Sequence, residues 1–242
     1  MSVLVTGGSR GIGAATAVAL AADGWDVGVG YQSREDEAAR IVKACEDLGR
    51  RAVAVQADVT DADQVEQLFT TVTEGLGPIT AVINNAGVVS PAGRVAEYDA
   101  ERLDRVFRIN TISAFLVAGA AVRRMSTKYG GSGGVIVNVS SRAAVLGAAG
   151  EYVDYAASKA AVDALTVGLA SEVASEGVRV LGVRPGLIET DIHAPGRLDR
   201  IGTTPPLGRP GKPEEVAELI AFLASDRSSY MTGTTVDVSG GR

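Results

Sequence analysis

Seven short runs of aliphatic and β-branched residues recur along the chain, separated by longer segments with helical spacing. They are Val3–Val5, Asp26–Val29, Ala52–Val55, Ala81–Ile83, Val135–Val139, Val178–Val183 and Thr234–Val238. The runs are apolar at successive positions, so both faces of each strand must be covered. Strands covered on both sides and separated by helices lie parallel, joined by right-handed crossovers. Helices are expected near 11–23, 35–48, 61–74, 98–127, 154–175 and 213–224. Gly24, Gly49 and Gly177 stand where helices end, and Asp61 and Pro213 where helices begin. The fold class that follows is α/β: a doubly wound parallel sheet of about seven strands with helices on both faces.

A chain of 242 residues supports one sizeable core. Area scaling buries about 72% of its unfolded surface, so residues 1–242 are expected to form a single domain. The net charge of −6 argues against nucleic acid and anionic membranes as partners. One cysteine, Cys45, excludes a disulfide framework. With one histidine, His193, a histidine-rich metal site or a Ser-His-Asp triad is not expected either. No metal site is therefore expected. No run of about 18 apolar residues suggests a membrane span. The opening residues lack a basic signal-peptide region, so the chain reads as cytoplasmic. Six of the eight prolines fall within 185–213. A long loop inside a compact domain is more often a lid or binding loop than a linker, so 187–212 reads as a substrate loop.

The first strand runs into Thr6-Gly7-Gly8-Ser9-Arg10-Gly11-Ile12-Gly13, which opens a helix. A helix N-terminus attracts phosphate, and glycines let it approach the backbone. No Gly-Lys-Ser/Thr follows, so this is not a Walker loop. It reads as the dinucleotide turn of a Rossmann-type domain. The second strand ends in Tyr31-Gln32-Ser33-Arg34, without the carboxylate that would bond a ribose 2′-hydroxyl. Two guanidiniums, Arg10 and Arg34, with the Ser33 hydroxyl suit a 2′-phosphate instead. The expected cofactor is NADP(H) rather than NAD(H).

Tyr155 and Lys159 are four residues apart on an expected helix, hence on one face. A nearby cation favours a phenolate, which makes Tyr155 a candidate general acid/base. Upstream, Asn138-Val139-Ser140-Ser141 and Asn84-Asn85-Ala86-Gly87 close two strands at the sheet edge that binds ligands. Asn110 is an unusual residue for the middle of a helix.

Taken in order, these motifs resemble the short-chain dehydrogenase/reductases over essentially the whole chain. The match also includes Asp58-Val59, Arg184-Pro185-Gly186 with Thr190, and Asp237-Val238-Ser239-Gly240-Gly241. The resemblance implies a catalytic set of Asn110, Ser141, Tyr155 and Lys159. Tyr155 would protonate a carbonyl oxygen during reduction, and Ser141 would polarise it. Lys159 would bind the nicotinamide ribose and lower the Tyr155 pKa, and Asn110 would hold a relay water. Cofactor contacts are implied for Gly7, Ser9, Arg10, Gly11, Ile12, Gly13, Ser33, Arg34, Asp58, Val59, Asn85, Ala86, Gly87, Tyr155, Lys159, Pro185, Gly186, Ile188 and Thr190. Ser141 is preferred to its neighbour Ser140, which points the opposite way, and Tyr155 to Tyr152, which has no lysine four residues on.

The walls of a substrate pocket would come from 90–97, 142–152 and 187–211. Glu151, Asp154, Glu189 and Asp191 could add polar contacts, while His193 reads as a solvated loop residue. Cys45 reads as a small core residue. The expected activity is NADP(H)-dependent interconversion of a small-molecule carbonyl and a secondary alcohol. One alternative is a 3-oxoacyl-carrier-protein reductase, with Arg94, Arg102, Arg105, Arg108, Arg123, Arg124 and Lys128 offering a basic surface. Another is a non-catalytic NADP-binding sensor. Family members are usually homotetramers, and a homodimer is the second choice. The stripe Ala161, Leu165, Gly168 and Leu169 is a candidate interface.

Overall fold

The computed structural model describes residues 1–193 and 195–242. Its seven strands are β1 (Ser2–Thr6), β2 (Asp26–Tyr31), β3 (Ala52–Gln56), β4 (Ile79–Asn84), β5 (Gly134–Val139), β6 (Val178–Pro185) and β7 (Thr235–Val238). They form one sheet in the order β3-β2-β1-β4-β5-β6-β7, every pairing parallel. The order reverses between β1 and β4, so their C-terminal ends open a crevice with no crossover above it.

Successive side chains of β1 serve opposite cores. Val3 and Val5 pack with α1 (Gly11–Ala22), α2 (Glu35–Asp47) and α9 (Pro213–Ala224), through Leu20, Cys45 and Ile220. Leu4 packs on the other face with α3 (Ala62–Leu76), α5 (Ser113–Met125) and α7 (Val153–Val173), through Phe69, Val117 and Val173. Strand β3 lies at the sheet edge and is only partly covered. Asp61 caps α3 by accepting the amides of Asp63 and Gln64 at 2.9 and 3.1 Å, and Pro213 opens α9. Gly24, Gly49 and Gly177 each take the left-handed conformation after a helix.

Two expectations about helices change. The segment expected as one helix over 98–127 is α4 (Ala100–Phe107), a π turn (Arg108–Ile112) and α5. The extra residue lets Asn110 turn inward to bond the loop after β4, and the Ser113 amide reaches back to the Arg108 carbonyl. Such π turns cluster at functional sites. By length and composition Ala100–Met125 could cross a membrane, but half of its most apolar stretch is buried inside the protein. Two short helices were not expected, α6 (Ala143–Leu146) and α8 (Arg197–Ile201). The loop over 187–212 leaves and rejoins the body at an isolated parallel bridge between Ile188 and Gly211. Ala194, inside that loop, lies outside the described residues.

Candidate active site

The crevice is built at the ends of β1 and β4. Asn85 donates its side-chain amide to the carbonyls of Thr6 and Gly7 at 2.9 and 3.1 Å, and its backbone amide to Thr6 Oγ1 at 3.0 Å. The two strand ends are thereby fixed to each other. Gly7 and Gly11 have φ of 62° and 53°, conformations that strain any residue with a Cβ. At Gly13 a Cβ would lie 2.2 Å from the Gly7 carbonyl oxygen, so α1 can pack on the turn only because that residue is bare. The first turn of α1 has no side-chain cap and no acidic residue. Its unpaired amides and positive dipole end suit a pyrophosphate. This bare cradle fits a dinucleotide.

Beyond the ends of β2 and β3 the crevice is lined by Ser33, Arg34, Asp58 and Val59. Asp58 accepts Gln32 Nε2 at 3.1 Å and the Thr60 hydroxyl at 2.8 Å. Arg34 pairs with Glu37 at 3.0 Å, and Arg10 with Asp191. The Arg34 and Arg10 side chains remain about half exposed, at 53% and 44% respectively.

Tyr155 stands in the first turn of α7, and Lys159 one turn later. Lys159 is buried, donates to the Val139 carbonyl at 2.8 Å, and lies 5.9 Å from the centre of the Tyr155 ring. Burial pulls its ammonium down to about 8, against the opposing carboxylate of Asp163. The Tyr155 phenol is pushed up by burial, which outweighs the hydrogen bond from Ser141 and the charge of Arg197. The expected lowering by Lys159 is therefore not what this geometry gives. Desolvation governs both groups, and the ammonium is engaged by a carbonyl. Ser141 Oγ accepts the Ala143 amide at 3.1 Å, leaving its proton free to donate. Ser140 is turned away, buried and bonded to the Lys159 carbonyl at 3.0 Å.

Of the anticipated catalytic and cofactor residues, all but Asn110 line this one crevice; of the anticipated polar wall residues, Glu151 and Asp191 line it and Asp154 and Glu189 do not. Asn110 is buried behind it. Its Oδ1 accepts the Val88 amide at 2.8 Å, and its Nδ2 donates to the Val88 carbonyl and to Ser158 Oγ at 2.9 and 3.0 Å. The side chain is thus a tie between loop and helices and does not face the crevice. The anticipated wall at 90–97 is replaced by Val88 and Val89. Ala143, Leu146, Tyr152, Leu187 and Ile192 also line the crevice. His193 is half-buried, with Nε2 2.9 Å from the Ile188 carbonyl, rather than solvated. Sequence reasoning missed Arg197, which lies 5.2 Å over the Tyr152 ring and bonds Glu151 at 2.7 Å. Its placement depends on α8, a single turn with no periodic signal.

Comparison with known proteins agrees with this geometry. The family model described as enoyl-(acyl carrier protein) reductase matches residues 7–242. The uncharacterized oxidoreductase YgfF of Escherichia coli (strain K12) is 49% identical, over 99% of this chain and 98% of its own. A 3-oxoacyl-[acyl-carrier-protein] reductase of a Synechocystis strain is 40% identical, over 98% of this chain and 95% of its own. A short-chain dehydrogenase from Burkholderia cenocepacia, solved in complex with NADP, superposes with a TM-score of 0.92 at 36% identity, covering 99% of this chain and 96% of that one.

Proposed function

The chain belongs to the short-chain dehydrogenase/reductase family of oxidoreductases, and from that premise we propose that it reduces a small carbonyl compound to a secondary alcohol, reversibly, with NADP(H). The observation that carries this reading is the convergence of Ser141, Tyr155 and Lys159 on the crevice that begins at the bare glycine turn. The nicotinamide, when bound, supplies the hydride donor or acceptor. The glycine turn and the α1 N-terminus would hold the pyrophosphate, and Asp58 and Val59 the adenine end. Pro185, Gly186, Ile188 and Thr190 also line the crevice and would hold the nicotinamide.

In reduction, Tyr155 Oη gives its proton to the carbonyl oxygen as the carbon gains its hydrogen. In oxidation, Tyr155 takes that proton back. Ser141 donates a hydrogen bond to the same oxygen, where negative charge develops. The Lys159 ammonium, one helical turn from Tyr155, would bind the nicotinamide ribose. NADP(H) is favoured over NAD(H) because Arg10 and Arg34 flank a strand end with no carboxylate, and the Burkholderia relative was solved with NADP.

A carrier-protein substrate would need an open basic surface. Of the seven candidates, Arg102, Arg108 and Lys128 pair with Asp154, Asp104 and Glu176, Arg123 and Arg124 share Glu66, and Arg94 and Arg105 make no ion pair among the described residues, so the surface is largely but not wholly neutralised. Exposed Leu103, Ile112 and Phe115 around the π turn, with Val167 on α7, suit a subunit face of a homotetramer or homodimer. The expected location is cytoplasmic.

The test is NADPH consumption across sugars, diketones, ring ketones, quinones and an acyl-thioester mimic, with the reverse reaction run on the matching alcohols. Deuterium carried on the nicotinamide should appear on the product carbon. Tight NADPH binding with no turnover of any class in either direction would favour a non-catalytic sensor.

A further inference from the structure

The loop after β4, which lines the crevice through Val88 and Val89 (the wall loop), meets the helix that carries Tyr155 at a buried ion pair. Arg102, in the first turn of α4, donates Nε to Asp154 Oδ2 at 2.7 Å and Nη2 to Oδ1 at 3.3 Å. Its Nη1 donates to the Pro91 carbonyl at 2.7 Å, and its guanidinium lies 3.8 Å over the Tyr98 ring. The Asp154 side chain is fully buried, and that of Arg102 is 17% exposed. Asp154 Oδ1 also accepts the backbone amide of Tyr155 at 2.9 Å. Beside the pair, the Tyr98 hydroxyl donates to the Gly93 carbonyl and accepts the Val153 amide, each at 3.2 Å.

We propose that Arg102, acting through Asp154, is a positioning residue for Tyr155, and that the pair sets the phenol against Ser141 and the wall loop together. The inference rests on the acid/base role proposed for Tyr155. Tyr155 is the third residue of α7, where the helix leaves amides without partners. The amide of Tyr155 itself is held by a carboxylate, and that carboxylate is held on both oxygens by one guanidinium. A fork that bonds two oxygens fixes direction as well as distance. The same guanidinium grips the Pro91 carbonyl, three residues beyond Val88, which Asn110 ties at both its amide and its carbonyl. Both sides of the reaction space therefore share one anchor. Without Arg102, Asp154 would be a buried charge short of its partner, and the first turn of α7 would rearrange to hydrate it. A displacement of about 1 Å at the reacting group is enough to cost about 10²-fold in rate.

The experiment compares Arg102→Met, Arg102→Lys and the double variant Arg102→Met/Asp154→Asn with the wild type. The double variant removes the stranded charge yet keeps an acceptor for the Tyr155 amide, so it remains informative if Arg102→Met does not fold. The readouts are kcat for carbonyl reduction, NADPH Kd, and the fluorine resonance of 3-fluorotyrosine at position 155, assigned with Tyr155→Phe. The expected result for the double variant is a kcat lower by about tenfold or more with NADPH Kd within about twofold. The Tyr155 resonance shifts or broadens, while those of Tyr31, Tyr129 and Tyr230 stay. Arg102→Lys, with its charge but no fork, falls between. A folded double variant with wild-type kcat and an unmoved Tyr155 resonance overturns the inference, as does a loss of NADPH affinity equal to the loss of kcat. If the wild type reduces no carbonyl, the functional reading fails, and the resonance alone decides the positioning claim.

Discussion

Replacing Arg10 and Arg34 by glutamine should weaken NADPH and leave NADH unchanged. The magnitude follows from what each guanidinium gives up. In the structure each is already paired with a carboxylate, Asp191 or Glu37, and about half exposed. An exposed pair of this kind is worth about 0.2–1 kcal/mol. A charge-assisted bond to a 2′-phosphate contributes about 1.5–3 kcal/mol. The net preference is about 1–2 kcal/mol per arginine, or roughly 5- to 30-fold in affinity. The two would share one phosphate, so the double variant should lose less than the product of the single effects. Nicotinamide fluorescence titrations at fixed low ionic strength measure both cofactors, and added salt should shrink the NADPH advantage. Equal weakening of NADPH and NADH, or no weakening of either, would refute the reasoning.

Gly13→Ala should cost more than about 2 kcal/mol of stability and weaken NADPH at least about tenfold, because its Cβ falls 2.2 Å from the Gly7 oxygen and α1 must move. Thermal melts and the same titration check this. Burial raises the Asp26 carboxyl, but hydrogen bonds from the side chain and backbone of Arg51, and from Arg50, bring it down from 3.8 to about 2. A carboxyl lowered on folding stabilises the protein above its unfolded value, and that stability is lost as pH falls from about 4 to about 2. The shift sets a ceiling of about 2.5 kcal/mol, and the half-open Arg51 reduces it to about 1–2. Asp26→Asn should accordingly lower stability at pH 7 by that amount, and hardly at all below pH 2, in denaturant titrations. For Lys159, held down at about 8 by burial, a rate that needs the ammonium should decline as pH rises through 8. Asp163→Asn should move that decline to lower pH in a kcat/KM profile.

The strands were legible as short aliphatic runs bounded by turns: β1, β2, β4, β5 and β6 are buried on both faces and leave little alternation to misread, while β3 and β7, at the two sheet edges, are only partly covered and rest on their valines. The glycine turn was legible because only bare residues can approach as Gly13 approaches Gly7. The break at Asn110 was not, since a π turn keeps the helical spacing on either side and reveals itself only through the bond to Val88. The Arg102–Asp154 pair joins residues 52 positions apart and has no local pattern. Lys159 shows the limit of spacing arguments: four residues place it near Tyr155, yet burial, which spacing does not report, decides its charge.

The central claim is that Tyr155 delivers the proton while the cofactor is held by other groups. It is tested most directly by Tyr155→Phe, with NADPH Kd and carbonyl turnover measured on the same preparation. The account predicts NADPH Kd within a few-fold of wild type and turnover lower by about 10²-fold or more. Turnover that survives the loss of the phenol hydroxyl would contradict it.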